Sequence, residues 1–177
     1  DRPKEAGKLF TAWLKLTTSI KKLLEPVATI KVAAIAAFKA KEKFREAKTT
    51  DGVKIAWLGD NFKTNFLDKT ETDITSATLR SGKLKESSLD KPVLDELGDT
   101  AETLLAQLWE LLKKQGSGEE GILLVNGWAN IFYIRDANKA LGAVGADWRA
   151  DVGGWRVGAS SVSGPDGWDG GSQVVSR

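Results

Sequence analysis

Carboxylates have the first claim to chemistry in this chain. Asp166 and Asp169 flank Trp168 in the stretch GPDGWDGG, and Asp147 and Asp151 bracket DWRAD. Two carboxylates hydrolyse a glycosidic bond when they stand a set distance apart and burial raises the pKa of one of them. Sequence spacing does not establish that separation, and Asp beside Gly is first of all turn chemistry. DGWDGG also lacks the alternating oxygen ligands and closing Glu of a calcium loop. Ser160, Ser161 and Ser163 have no imidazole to activate them and no lysine in a recognisable pairing. GSGEEG, at Gly116–Gly121, has the glycine spacing of a dinucleotide loop. A phosphate cradle needs a strand before that loop and a helix N-terminus after it. Here a helix is expected before and a strand after, and Glu119 and Glu120 would repel the anion. The chain is therefore expected not to be an enzyme, and neither a cofactor nor a metal is expected.

Composition closes further routes. Cys, His and Met are all absent from 177 residues. Disulfides, thiolate nucleophiles, cysteine-based metal sites, imidazole bases and imidazole ligands are thereby excluded. Such a triple absence fits either a compositional accident or an engineered or trimmed chain.

What remains is binding. Trp128, Trp148, Trp155 and Trp168 fall in the last third of the chain with Phe132 and Tyr133. Alternate residues of a strand share a face. Trp155, Val157 and Ala159 then face one way, and Arg156, Gly158 and Ser160 the other; Ala146 and Trp148 likewise oppose Asp147 and Arg149. Trp148 and Trp155 are placed to pair across the turn RADVGG. These rings read primarily as pins of a glycine-rich sheet. Exposed indoles also stack on sugars or bases, which makes Trp155 and Trp168, with Asp166 beside the latter, the carbohydrate-binding candidates. Residues 1–48 carry a net charge of +7 and the remainder −5. Lys39, Lys41, Lys43, Arg45 and Lys48 crowd the end of the basic part. They read as a solvated helix end favoured by the helix dipole, or alternatively as a contact to nucleic-acid phosphates.

These residues need elements to position them. In KEAGKLFTAWLKLTTSIKKLLEP, Leu9, Trp13, Leu16, Ile20 and Leu23 recur at helical spacing, and Pro26 ends the run. VATIKVAAIAAFKAKEKFREAK is alanine-rich and helix-forming by propensity, so a basic αα-hairpin is expected over residues 1–47. Residues 48–177 are expected to form an α+β domain. VKIAWLG reads as a strand, NFKTNFL as a brief helix behind Asp60, and ATLRSGKLKESSL as a strand or hairpin. Asp90 opens a short helix closed by Gly98. Asp99 and Glu102 suggest a capping box for TAETLLAQLWELLKKQ. From Gly121 the pattern turns to alternating β-formers (ILLV, NIFYIRD, ALGAVGADWRA, GWRVGASSV, SQVVSR) with Asp/Asn/Gly turns, and a C-terminal antiparallel meander is expected. The fold class is thus α+β: a helical hairpin, a mixed α/β middle and a terminal sheet.

At VKIAWLGDNFKTNFL, SATLRSGKLKESSLDKPVLDELG, EEGILLVNGWANIFYIRDANKALGAVG and QVVSR the chain resembles uncharacterised small proteins predicted from bacterial candidate-phylum genomes. The resemblance covers about residues 40–177 and implies no activity, cofactor or site residue. It implies an Asn-Gly turn after Arg135-Asp136, from which Asn138-Lys139 departs.

The function expected is a non-enzymatic interaction or structural module, with an unknown protein partner or self-association through the first helix's heptad-like stripe. Nucleic acid through the basic arm and carbohydrate through the tryptophans are the alternatives. VAAIAAF and GILLV are too short to span a bilayer, so no membrane span is expected, and the cytoplasm is the default location.

Overall fold

The computed structural model describes residues 22–177. Strands dominate it: Leu24–Val32 (β1), Ile35–Lys39 (β2), Lys48–Thr50 (β3), Val53–Leu58 (β4), Thr70–Ile74 (β5), Ala77–Leu84 (β6), Glu102–Thr103 (β7), Asn130–Arg135 (β8), Leu141–Arg149 (β9), Gly154–Ser161 (β10) and Gln173–Ser176 (β11). Among them lie the short helices Ala40–Lys43 (α1), Asp60–Asn65 (α2), Asp90–Leu97 (α3) and Leu105–Lys114 (α4). A nine-stranded mixed sheet runs β1-β6-β11-β8-β9-β10-β4-β3, with β7 continuing the edge of β8 beyond β11. β2 and β5 form a separate antiparallel ribbon.

This architecture corrects the expected fold class. The protein is mostly β, and no helical hairpin stands at the front of the described residues. The first expected helix lies outside them apart from its end, which enters β1. The second is extended: VATIKV belongs to β1, IAAFK is β2, and only Ala40–Lys43 makes a helical turn. Propensity differences among ordinary residues are at most about 0.7 kcal/mol each. Against them stand the β1–β6 ladder and the burial of Val32 and Phe38, with Ile30 and Ile35 packed partly against the same core. Long-range pairing wins.

The terminal meander is also corrected. Only β8, β9 and β10 follow one another antiparallel. β11 returns between β6 and β8 and runs parallel to β8, and β10 runs parallel to β4. ILLV forms no strand, because buried amides take its backbone groups. Gln115 exchanges hydrogen bonds with Leu123, Asn130 does so with Leu124, and Gln173 donates to the Ile122 carbonyl. ATLRSGKL is one continuous strand, β6. The Asp99/Glu102 cap is not formed either. α4 starts at Leu105, and the carboxylate of Glu71 accepts the Leu105 and Ala106 amides from across the core at 3.1 and 2.9 Å.

Alternation splits the core between the two sheet faces. On one face Phe132, Ile134, Val144, Ala146, Trp148, Trp155, Val157 and Val175 pack with Trp109 of α4, Phe44, Phe62 and Phe66. Trp148 and Trp155 are register partners whose rings meet edge to face at 5.6 Å. Gly118 (φ +80°) is required behind them, since a Cβ there would lie 2.3 Å from the Trp148 ring. On the other face Leu24, Leu84, Ile131, Tyr133 and Val174 pack under Val93 of α3. α3 and Trp168 cover this second face only as far as β9. The β10–β4 end is left open.

Candidate functional site

The open end of the second face is assembled by three adjacent strands. β9 presents Gly145, Asp147 and Arg149 there, and β10 presents Gly154, Arg156 and Gly158. Gly145 pairs directly with Gly158 and Asp147 with Arg156. β4 supplies Lys54 and Trp57 by way of a bulge. Trp155 pairs with Ile55, Arg156 with Trp57 and Val157 with Leu58, so Ala56 is the extra residue. Regular alternation would send Trp57 into the core after Val53 and Ile55. The bulge turns it out instead, 48% exposed, while Leu58 takes the inward position.

The Trp57 indole stands on bare backbone. A Cβ on Gly59 would lie 3.1 Å from its Cη2, and one on Gly158 would meet only its Cζ3, at 3.8 Å. On the other side of the glycine pair, the Trp168 ring lies over Gly145, where a Cβ would approach within 3.0 Å. Two indoles thus flank a glycine floor.

Beyond Trp57 the face opens into a cup of about 460 Å³, lined also by Arg149, Arg156, Lys54, Ala56 and Val152. Both of its guanidinium groups are ion-paired, and its lysine is held by a backbone carbonyl. Arg156 Nε donates to Asp147 Oδ2 at 3.0 Å, and Arg149 donates Nε and Nη2 to the two oxygens of Asp151 at 3.1 and 3.3 Å. Lys54 Nζ donates to the Val152 carbonyl at 2.7 Å. The hydrogen bonds from Arg149 hold the Asp151 carboxyl below the usual carboxylate range. A general acid needs the opposite shift. The chemical capacity of this face is a planar aromatic surface beside hydrogen-bond donors and acceptors of both signs.

The sequence-derived candidates are scattered. Trp155 is fully buried and donates its indole N–H to the Gln115 carbonyl at 3.1 Å, so it offers no face to a ligand. Trp168 is half-buried at the rim of the open face, and Asp166 is exposed in its loop. Lys39, Lys41, Lys43 and Arg45 lie elsewhere, on β2, α1 and the residues after it. Lys39 pairs with Glu42 at 3.1 Å, Lys41 with Asp68 at 3.6 Å and Lys43 with Asp51 at 2.7 Å, and Arg45 is exposed. Among the described residues no cluster of His, Cys, Asp or Glu could hold a metal ion, and no helix is long and apolar enough to cross a membrane.

Sequence reasoning missed Trp57 and the glycine floor. Alternation did group Arg156 with Gly158 and Asp147 with Arg149, away from Trp148 and Trp155. The signal available for β4 was Asp51-Gly52, a two-residue hairpin loop with both φ values positive (48° and 82°), which fixes where that strand starts. Nothing local marks the bulge that re-aims Trp57. No protein family, no curated protein and no solved structure matches the chain. The fold and the face define it as a mixed β-sheet protein with an open aromatic face.

Proposed function

We propose that this chain is a non-enzymatic binding module that receives a carbohydrate ring on Trp57. The observation that carries the reading is the exposed Trp57 indole beside two Arg–Asp pairs whose charges are already matched. The negative π-face of an indole attracts the polarised C–H face of a pyranose. Sugar hydroxyls both donate and accept, so paired guanidinium and carboxylate groups suit them. A phosphate chain would call for several uncompensated cations, and Arg149 and Arg156 are both paired with carboxylates, which leaves Lys54 alone on a backbone carbonyl.

A nucleic-acid role for Lys39, Lys41, Lys43 and Arg45 has less support, since three of the four face carboxylates. The test is a glycan array followed by titration of the best ligand, read by tryptophan fluorescence at low and high salt. Binding with little salt dependence that is lost in Trp57→Ala is the expected result. An empty array, or binding that Trp57→Ala leaves intact, overturns the reading. Affinity for single-stranded RNA that falls steeply with salt would replace it.

A further inference from the structure

We infer that this face binds an oligosaccharide of at least two rings, the second lying over Gly158 between Trp57 and Trp168. The inference rests on the reading of Trp57 as the platform for the first ring. Three observations lead to it. Gly59, Gly158 and Gly145 bare the backbone at one level of three adjacent chain segments, spanning roughly 10 Å across two strand spacings, about the length of a disaccharide. Gly158 has open space above it. A Cβ there would find no heavy atom within 4 Å except Trp57 Cζ3, and glycine in a strand interior often marks a bulge or a place where a ligand approaches the backbone closely.

The far wall is also firmly built. Trp168 is tied by two backbone hydrogen bonds to Ser88, at 2.8 and 3.0 Å, and by its indole N–H to Asp90 at 2.7 Å. That hold keeps its ring over Gly145 rather than letting it close over Gly158. A preformed wall lowers the ordering cost of binding. A chain entering from the cup at Arg156 would place one ring against Trp57 and the next on the glycine floor, with the Trp168 ring as its stop.

The test is calorimetric titration of the full chain with mono-, di- and trisaccharides of three β-1,4 series, built on glucose, xylose and N-acetylglucosamine. In the series that binds, the disaccharide should bind about tenfold tighter than the monosaccharide, with little further gain from a third ring. Gly158→Val should remove that gain, read as the ratio of disaccharide to monosaccharide affinity. The β-branched side chain suits a strand and fills the space above the floor. Trp168→Phe, which shortens the ring lying over Gly145 and drops the bond to Asp90, should weaken the disaccharide selectively.

Equal affinities for one and two rings, or a disaccharide gain that survives Gly158→Val, would overturn the two-ring inference while leaving the Trp57 platform standing. Absence of binding in all three series together with an empty glycan array would overturn both.

Discussion

The indole N–H of Trp168 donates to Oδ1 of Asp90, 78 residues away in sequence, at 2.7 Å. The same oxygen accepts the hydroxyl of Tyr133 at 2.9 Å. One buried carboxylate oxygen thus joins the C-terminal loop, the start of α3 and the middle of β8. Tryptophan in a glycine-rich loop serves here to hold that loop down, with only part of its ring left at the rim of the open face.

Removing the shared acceptor should cost more than removing one donor. Asp90→Ala leaves the Tyr133 hydroxyl and the Trp168 N–H without a partner, and we expect a loss of about 3 kcal/mol. Tyr133→Phe should cost about 2 kcal/mol. Denaturant unfolding of both variants measures the difference. Equal losses would show that Trp168 gains nothing from Asp90.

Tyr133 is the only tyrosine in the chain, so its titration can be followed without overlap. Burial first, then the charge of Asp90 and the hydrogen bond to it, push the phenol pKa above its ordinary value. The fold therefore holds the neutral phenol, and the stability this contributes is present in full below about pH 10, the unfolded value. It is lost as pH rises beyond that. Phenolate absorbance should appear together with unfolding in an alkaline titration, not before it. A phenolate signal from folded protein near pH 10 would contradict the burial.

Two tryptophans in consecutive register pairs of β10 and β4 should behave in opposite ways. Trp57→Ala should change stability by no more than about 0.5 kcal/mol, as exposed positions do, while abolishing ligand binding. Trp155→Ala opens a cavity next to Trp148 and strands the Gln115 carbonyl, at a cost of about 3–5 kcal/mol. Thermal unfolding of the pair checks both statements.

Glu71 is buried, 7% exposed, and caps α4 from the ribbon strand β5 while pairing with Lys69 at 3.0 Å. Glu71→Ala leaves two helix-end amides without their acceptor and the Lys69 ammonium with only the Arg135 carbonyl. A loss of about 3–5 kcal/mol is expected, with far-ultraviolet circular dichroism showing earlier loss of helix. A loss below about 1 kcal/mol would mean that water replaces the carboxylate.

Legibility followed the range of the interactions. The alternation in GWRVGASSV and GADWRA was enough to put Trp148 and Trp155 on one face and Asp147, Arg149, Arg156 and Gly158 on the other, because a strand's two faces are a local property of its backbone. α3, closed by Gly98, and the body of α4 were legible for the same reason. VATIKVAAIAAFK misled because its alanines speak for a helix one residue at a time, whereas its strands exist only through β6 and β5. GILLV misled because its backbone partners are the side chains of Gln115, Asn130 and Gln173.

By itself the sequence excluded thiol and imidazole chemistry, through the absence of Cys and His, and set which residues share a strand face. Tertiary structure alone decided which tryptophans are exposed, Trp57 and Trp128 among them. Trp155 was a candidate and is core, while Trp57 was overlooked and stands in the open. The physical reason is a single extra residue, Ala56, in the parallel pairing of β4 with β10. A strand's side chains alternate with period two, so one inserted position reverses every face after it, and that insertion is defined only by a partner strand about a hundred residues away.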